Sequence, residues 1–257
     1  MIFILGIKSK KLKNDSLILK EFLDNAFNLK LHLMDFLSIK ECDFDGFLAN
    51  AKMNLANSHP GDVLSDVSDF YTKIVGDRHL ADLAAWHITS KDYIADTLKL
   101  QQRLARDLVL DFGGGIGTHA LANAMSSRVK HVFFVDINET NRNFVKYRAK
   151  ELGVEKKLTF CKTIKEAQIS KFDTIICLDV LEHLADPASQ IENFNEIMDG
   201  NSIALFNWYF YKGEKNEYPF HIDDLEIIEN FFKALQSNFL EVFHPFLITT
   251  RAYKKIR

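Results

Sequence analysis

The stretch at residues 108–120, Leu-Val-Leu-Asp-Phe-Gly-Gly-Gly-Ile-Gly-Thr-His-Ala, constrains the fold more than any other. Four of the eleven glycines fall within five residues of it. Three apolar residues lead to Asp111, the glycines follow, and a run able to start a helix comes next. This order predicts a buried strand, a tight turn and a helix N-terminus. Glycine suits such a turn because it adopts unusual backbone angles and lets a ligand approach the main chain. A plain tight strand-to-helix connection is the simpler alternative. A second apolar run at 131–135 ends in Asp136, 19 residues beyond Gly117. There a doubly wound sheet places the carboxylate that holds ribose hydroxyls.

Two cofactor classes use this plan. Gly115, Gly117 and Ala120 satisfy G-x-G-x-x-A, the dinucleotide pattern. Asp111, Gly113, Gly115 and Gly117 together resemble D-x-G-x-G-x-G, the first motif of class I S-adenosylmethionine-dependent methyltransferases. An acid beside the loop suits a ligand that carries an ammonium group and repels a pyrophosphate, which favours the methyltransferase resemblance. An NAD(P)-dependent oxidoreductase remains the alternative enzyme. A non-catalytic binding protein on the methyltransferase fold is the alternative outside catalysis.

A second motif follows the fourth expected strand, 172–177. The run Leu178-Asp179-Val-Leu-Glu182-His183 with Asp186-Pro187 resembles the D-V-L-E-H-x-x-D-P signature of small-molecule methyltransferases. It differs from the N-P-P-Y type of enzymes that methylate nucleic-acid bases. The resemblance implies a Rossmann-like seven-stranded methyltransferase sheet over residues 106–257, with S-adenosylmethionine as cofactor and a small-molecule acceptor methylated on oxygen or nitrogen. It implies that Asp111, Phe112, Gly113, Gly115 and Gly117 face the methionine part and Asp136 the ribose. Ile137, Leu178 and Asp179 would flank the ligand. Relatives often carry an acid just after strand three, but here Cys161-Lys162-Thr163 follows. In the quinone-biosynthesis O-methyltransferases a similar stretch, with Glu where Asp179 stands, can hold a divalent metal. The shorter Asp179 argues for His183 as base or orienter without a metal, with His221 as the alternative base.

Residues 1–105 read as helices with amphipathic stripes, for example Leu19, Phe22, Leu23 and Ala26. A second stripe runs through Phe44, Phe47, Leu48, Ala51 and Leu55, and a third through Val63, Val67, Phe70, Tyr71 and Ile74. They form a helical cap whose candidate roles are substrate recognition or, alternatively, stability or homodimerisation. Tyr71, Trp86 and His87, with Trp208 in the aromatic run after the fifth strand (202–206), are expected to line one acceptor pocket. Two closing strands are expected at about 239–243 and 246–253.

Composition narrows the partners. A net charge of −3 argues against a nucleic-acid groove. The three cysteines show no metal-ligand spacing and point to the cytoplasm. The apolar opening of the chain is too short for a membrane span.

Overall fold

The structure is a computed structural model that describes residues 15–50, 77–214, 218 and 220–256. Tyr71, Ala51, Leu55 and the stripe at 63–74 lie outside the described residues. Three helices open the described chain, α1 (Asp15–Asn25), α2 (Leu29–Leu37) and α3 (Glu41–Ala49), and α4 (Asp77–Thr89) and α5 (Lys91–Leu104) lead into the sheet. The elements β1 (Asp107–Phe112), α6 (Thr118–Met125), β2 (Val129–Val135), α7 (Glu139–Glu151), β3 (Leu158–Cys161) and β4 (Phe172–Cys177) then alternate. A short 3-10 turn, Leu181–His183, precedes α8 (Pro187–Glu196), β5 (Met198–Phe206), α9 (Leu225–Asn238), β6 (Phe239–Val242) and β7 (Arg251–Lys255).

The sheet has seven strands in the order β3-β2-β1-β4-β5-β7-β6. The first five are parallel and β7 is antiparallel to both neighbours. Phe112 pairs in register with Val135 and Cys177, Val135 with Cys161, and Cys177 with Phe206. The carboxyl ends of all five parallel strands are therefore level. Their loops gather on one edge, where open α/β sheets bind ligands.

Local chemistry fixes the helix starts. Asn138 caps α7 by accepting from the Thr140 and Asn141 amides. Asp186 and Asp224 cap α8 and α9 in the same manner. The expected seventh strand begins later than its sequence suggests. His244 Nε2 bonds the Thr250 carbonyl at 2.9 Å, and Pro245 has no amide to offer a ladder, so 243–250 form a loop.

One core covers each face of the sheet. The first joins Ile18, Phe22, Leu33 and Phe44 of the N-terminal helices to Leu98 of α5, Leu121 of α6 and Phe144 of α7. Burying each such side chain contributes about 1.5–3 kcal/mol relative to exposure, so α1–α3 are part of that core. The second core lies under α8 and α9, with Phe172, Phe194, Phe206 and Phe231. No described helix is long and apolar enough to cross a membrane.

Candidate active site

The glycine turn leaves β1 with Gly113 at φ 70° and Gly117 at φ 77°, where a side chain is strained. Space is also closed. A Cβ on Gly113 would lie 2.3 Å from Val180, and one on Gly117 would lie 2.5 Å from Val145. The protein's own side chains, rather than a ligand, exclude a Cβ there. The Cβ direction of Gly115 meets only Leu83 of α4, at 3.0 Å.

Two acids sit beneath this turn. Asp111 is buried, and burial, helped by the Asp136 charge, lifts its pKa to about 7 against a backbone hydrogen bond from Ala120. Its Oδ2 has no partner. Asp136 ends β2, and burial lifts its pKa to about 6. Its Oδ1 accepts from the Asn138 amide at 2.8 Å. Its Oδ2 accepts from the Gly115 amide at 3.0 Å and from Asn141 Nδ2 at 3.2 Å. Three of a carboxylate's roughly four acceptor positions are thus in use, leaving room for about one further hydroxyl.

Helix α4 closes over the turn. Asn141 Nδ2 also reaches His79 Nδ1 at 3.2 Å, and His87 Nδ1 lies 3.1 Å from Thr118 Oγ1 at the start of α6. Burial disfavours the charged form of both imidazoles, lowering His79 to about 4 and holding His87 well below the ordinary histidine value. His87 therefore faces the start of α6.

The loop after β4 forms the other half of the site. Asp179 has a left-handed backbone (φ 55°). Asn207, at the end of β5, holds it from both sides: the Asp179 amide donates to Asn207 Oδ1 at 2.5 Å, and Asn207 Nδ2 donates to Asp179 Oδ1 at 2.9 Å. Asp179 is lifted to about 6 by burial, and Glu182 to about 8 by burial and then by Asp179. Glu182 Oε1 accepts from the Tyr209 amide at 3.1 Å, while Oε2 has no partner. His183 and His221 meet edge to face at 4.7 Å between ring centres. Burial first, then His221, lowers His183 to about 3, and burial also lowers His221. Glu182, His183 and His221 each offer one ligand atom, all within 4.8 Å of one another. The sequence favours a base without a metal, yet this set is able to hold one.

The aromatic candidates separate. Trp86 packs against His87 and Tyr93 on the first core. Trp208 packs against Phe231, Phe232 and Tyr253 on the second core and borders a cavity of about 330 Å³ beside β6 and β7. The two tryptophans do not share the pocket expected from sequence, because Trp208 turns under α9. Phe112 packs edge to face on Phe194 of α8, so its side chain points into the second core. Ile137 is exposed beside Asp136, and Leu178 is half-buried.

Four further residues emerge. Asn141 and His79 join α4 to Asp136, and Asn207 fixes the loop after β4. Glu166 turns back so that Oε2 accepts from the Lys162 amide at 2.7 Å, bringing a carboxylate to the end of β3. Asn141 follows Asp136 by five residues and Glu166 follows Lys162 by four, so both contacts are local in sequence, whereas those of His79 and Asn207 depend on tertiary contact.

Known proteins share parts of this sequence and its fold. A family described as a methyltransferase domain matches residues 85–220, more than half of the chain. The ubiquinone biosynthesis O-methyltransferase of Hahella chejuensis is 35% identical over 85 residues, 32% of this chain and 35% of that protein. That of Azotobacter vinelandii is 35% identical over 109 residues, covering 41% and 45%. The matches thus span less than half the length of these curated relatives. A crystal structure described as an rRNA methylase from Clostridium thermocellum superposes with a TM-score of 0.51 at 13% identity, over 64% of this chain and 96% of that one. At that identity the likeness concerns the fold.

Proposed function

Because the chain belongs to the methyltransferase-domain family, we propose that it transfers a methyl group from S-adenosylmethionine to an oxygen or nitrogen of a small-molecule acceptor. The residues present fit the cofactor. The unpartnered Oδ2 of Asp111 suits an ammonium group, and Asp136 has acceptor capacity for a ribose hydroxyl. Ile137 flanks the adenine, and Glu166 supplies the acid that the sequence lacks directly after β3. The cofactor brings an already activated methyl group. The protein's work is therefore alignment, exclusion of water and removal of a proton from the acceptor. Tyr71 and Trp86 stay as candidates for the acceptor wall, and the curated relatives' names favour an oxygen acceptor.

The observation that carries the acceptor end is the meeting of Glu182, His183 and His221. His183, with a pKa near 3, holds a proton poorly and acts as an orienting acceptor. Glu182, with a pKa near 8, is the stronger proton acceptor once ionised. A second reading is favoured by the same geometry: the three residues hold a divalent cation. Neutral imidazoles and an unpartnered carboxylate oxygen are the donors such an ion requires. The ion would supply charge that lowers the pKa of an acceptor hydroxyl. Three cysteines without a disulfide support a cytoplasmic setting, and a homodimer would use exposed Leu17, Leu23 and Leu31 on the cap. No nucleic-acid partner is part of this reading.

Transfer of labelled methyl from S-adenosylmethionine to a panel of phenols and amines, with Mg²⁺ or Mn²⁺ and then with EDTA, tests the proposal. His183→Ala should lower turnover by about 100-fold with cofactor binding retained. Loss of turnover in EDTA selects the cation reading, and transfer to no acceptor of the panel by freshly prepared protein counts against the acceptor class.

A further inference from the structure

Arg148 on α7 is fully buried, and no described carboxylate forms an ion pair with it. Its guanidinium spends its hydrogen bonds on main-chain carbonyls from two distant parts of the chain. Nη1 donates to Ile116 at 2.7 Å, inside the glycine turn. Nη2 donates to Ala26 at 2.9 Å and to Phe27 at 3.3 Å, in the turn between α1 and α2. That turn is itself unusual: Ala26, Phe27 and Asn28 have φ of 52°, 57° and 57°, three non-glycine residues in the left-handed region. Two side-chain bonds brace it, from Asn25 Nδ2 to Asn28 Oδ1 at 2.8 Å and from the Asn28 amide to Asn25 Oδ1 at 2.9 Å.

A buried cation without a counter-charge is a costly way to fill space, and here Nε lacks a partner as well. An apolar side chain of similar size would serve packing better. A planar fork, in contrast, reaches two opposed carbonyl sets at once, which neither an apolar side chain nor a single ammonium does. Ile116 lies between Gly115, whose amide bonds Asp136, and Gly117, which caps α6. Holding the Ile116 carbonyl therefore sets both neighbours.

We infer that Arg148 is a positioning residue that clamps the glycine turn to the α1–α2 turn, so that docking of the N-terminal helices sets how tightly the cofactor is held. The affinity part rests on the cofactor reading above; the clamp itself does not. The site of action is the main chain of the turn, not a reacting atom.

Hydrogen exchange on the ligand-free full chain reads the clamp directly. Arg148→Met should speed exchange of amides 113–118 by about tenfold or more while β4 and β5 keep their rates. Arg148→Lys should behave in the same way, because one ammonium cannot bridge both turns. Asn25→Ala removes both braces at an exposed position outside the glycine turn, so it covers the case in which Arg148→Met does not fold. It should speed the same amides and raise the dissociation constant for S-adenosylhomocysteine severalfold. Unchanged exchange at 113–118 in the folded variants overturns the clamp. So does wild-type exchange in Arg148→Lys, since charge alone would then suffice. Failure of the wild-type chain to bind S-adenosylhomocysteine would remove the cofactor reading, while the exchange rates at 113–118 would still decide for or against the clamp.

Discussion

Gly117→Ala isolates the backbone demand of the glycine turn. Gly117 has φ 77°, and its missing Cβ would lie 2.5 and 2.7 Å from the two methyl carbons of Val145, a fully buried residue of α7. The left-handed backbone costs a non-glycine residue about 1–2 kcal/mol. Overpacking against a side chain that cannot withdraw adds about 1–3 kcal/mol. The sum, about 2–5 kcal/mol, corresponds to a fall in melting temperature of roughly 4–20 °C for a chain of this size. Thermal and urea denaturation of the ligand-free protein measure it. Gly200→Ala is the control: a Cβ there meets nothing within 4 Å, so its effect should stay within about 0.5 kcal/mol. Adding Val145→Ala should relieve the packing part and leave the backbone part, so the two substitutions should cost less together than their sum. Wild-type stability in Gly117→Ala, or strict additivity with Val145→Ala, would refute the reasoning.

Asp136→Ala removes the acceptor left for a ribose hydroxyl and frees the Gly115 amide, so S-adenosylhomocysteine should bind at least about tenfold more weakly by calorimetry, as expected for a charged hydrogen bond of about 1.5–3 kcal/mol. Stability should also depend on pH in a defined direction. Asp111 and Glu182 have folded pKa values raised to about 7 and about 8, so the native state keeps protons that the unfolded chain has released, and stability falls as pH rises through those values. His79, His119 and His183, lowered to about 4, 4 and 3, act the other way only below their ordinary value of 6.5. Between about pH 6.5 and 8.5 the ligand-free melting temperature should therefore decline, and Glu182→Gln should flatten the upper part; a flat or rising wild-type profile would count against the buried acids.

Much of the parallel sheet is legible in the sequence because its signals are local. The strand-turn-helix at 108–120, Asp136 at a strand end, the Asp186-Pro187 start of α8 and the Asp224 cap of α9 each depend on neighbours within a few residues. The start of the seventh strand is not, because the apolar run at 246–248 looks like a strand, whereas the His244–Thr250 bond closes it into a loop. The candidate site after β4 is half legible. His183 and Glu182 stand in one motif, but their approach to His221 requires the loop after β5 to fold back over β4. Trp208 shows the limit most clearly: aromatic density after a strand does not say which face the ring takes, and packing under α9 decides it. Arg148 carries no sequence signal, since an arginine in a helix ordinarily reads as surface.

The central claim is that the glycine turn, Asp111 and Asp136 form a site for a cationic nucleoside ligand rather than an anionic dinucleotide. Calorimetric titration of the full chain with S-adenosylmethionine, S-adenosylhomocysteine and NADH tests it most directly. The expected result is one-to-one binding of both sulfur ligands with no measurable binding of NADH. Saturable binding of NADH with silence toward S-adenosylmethionine and S-adenosylhomocysteine would contradict it.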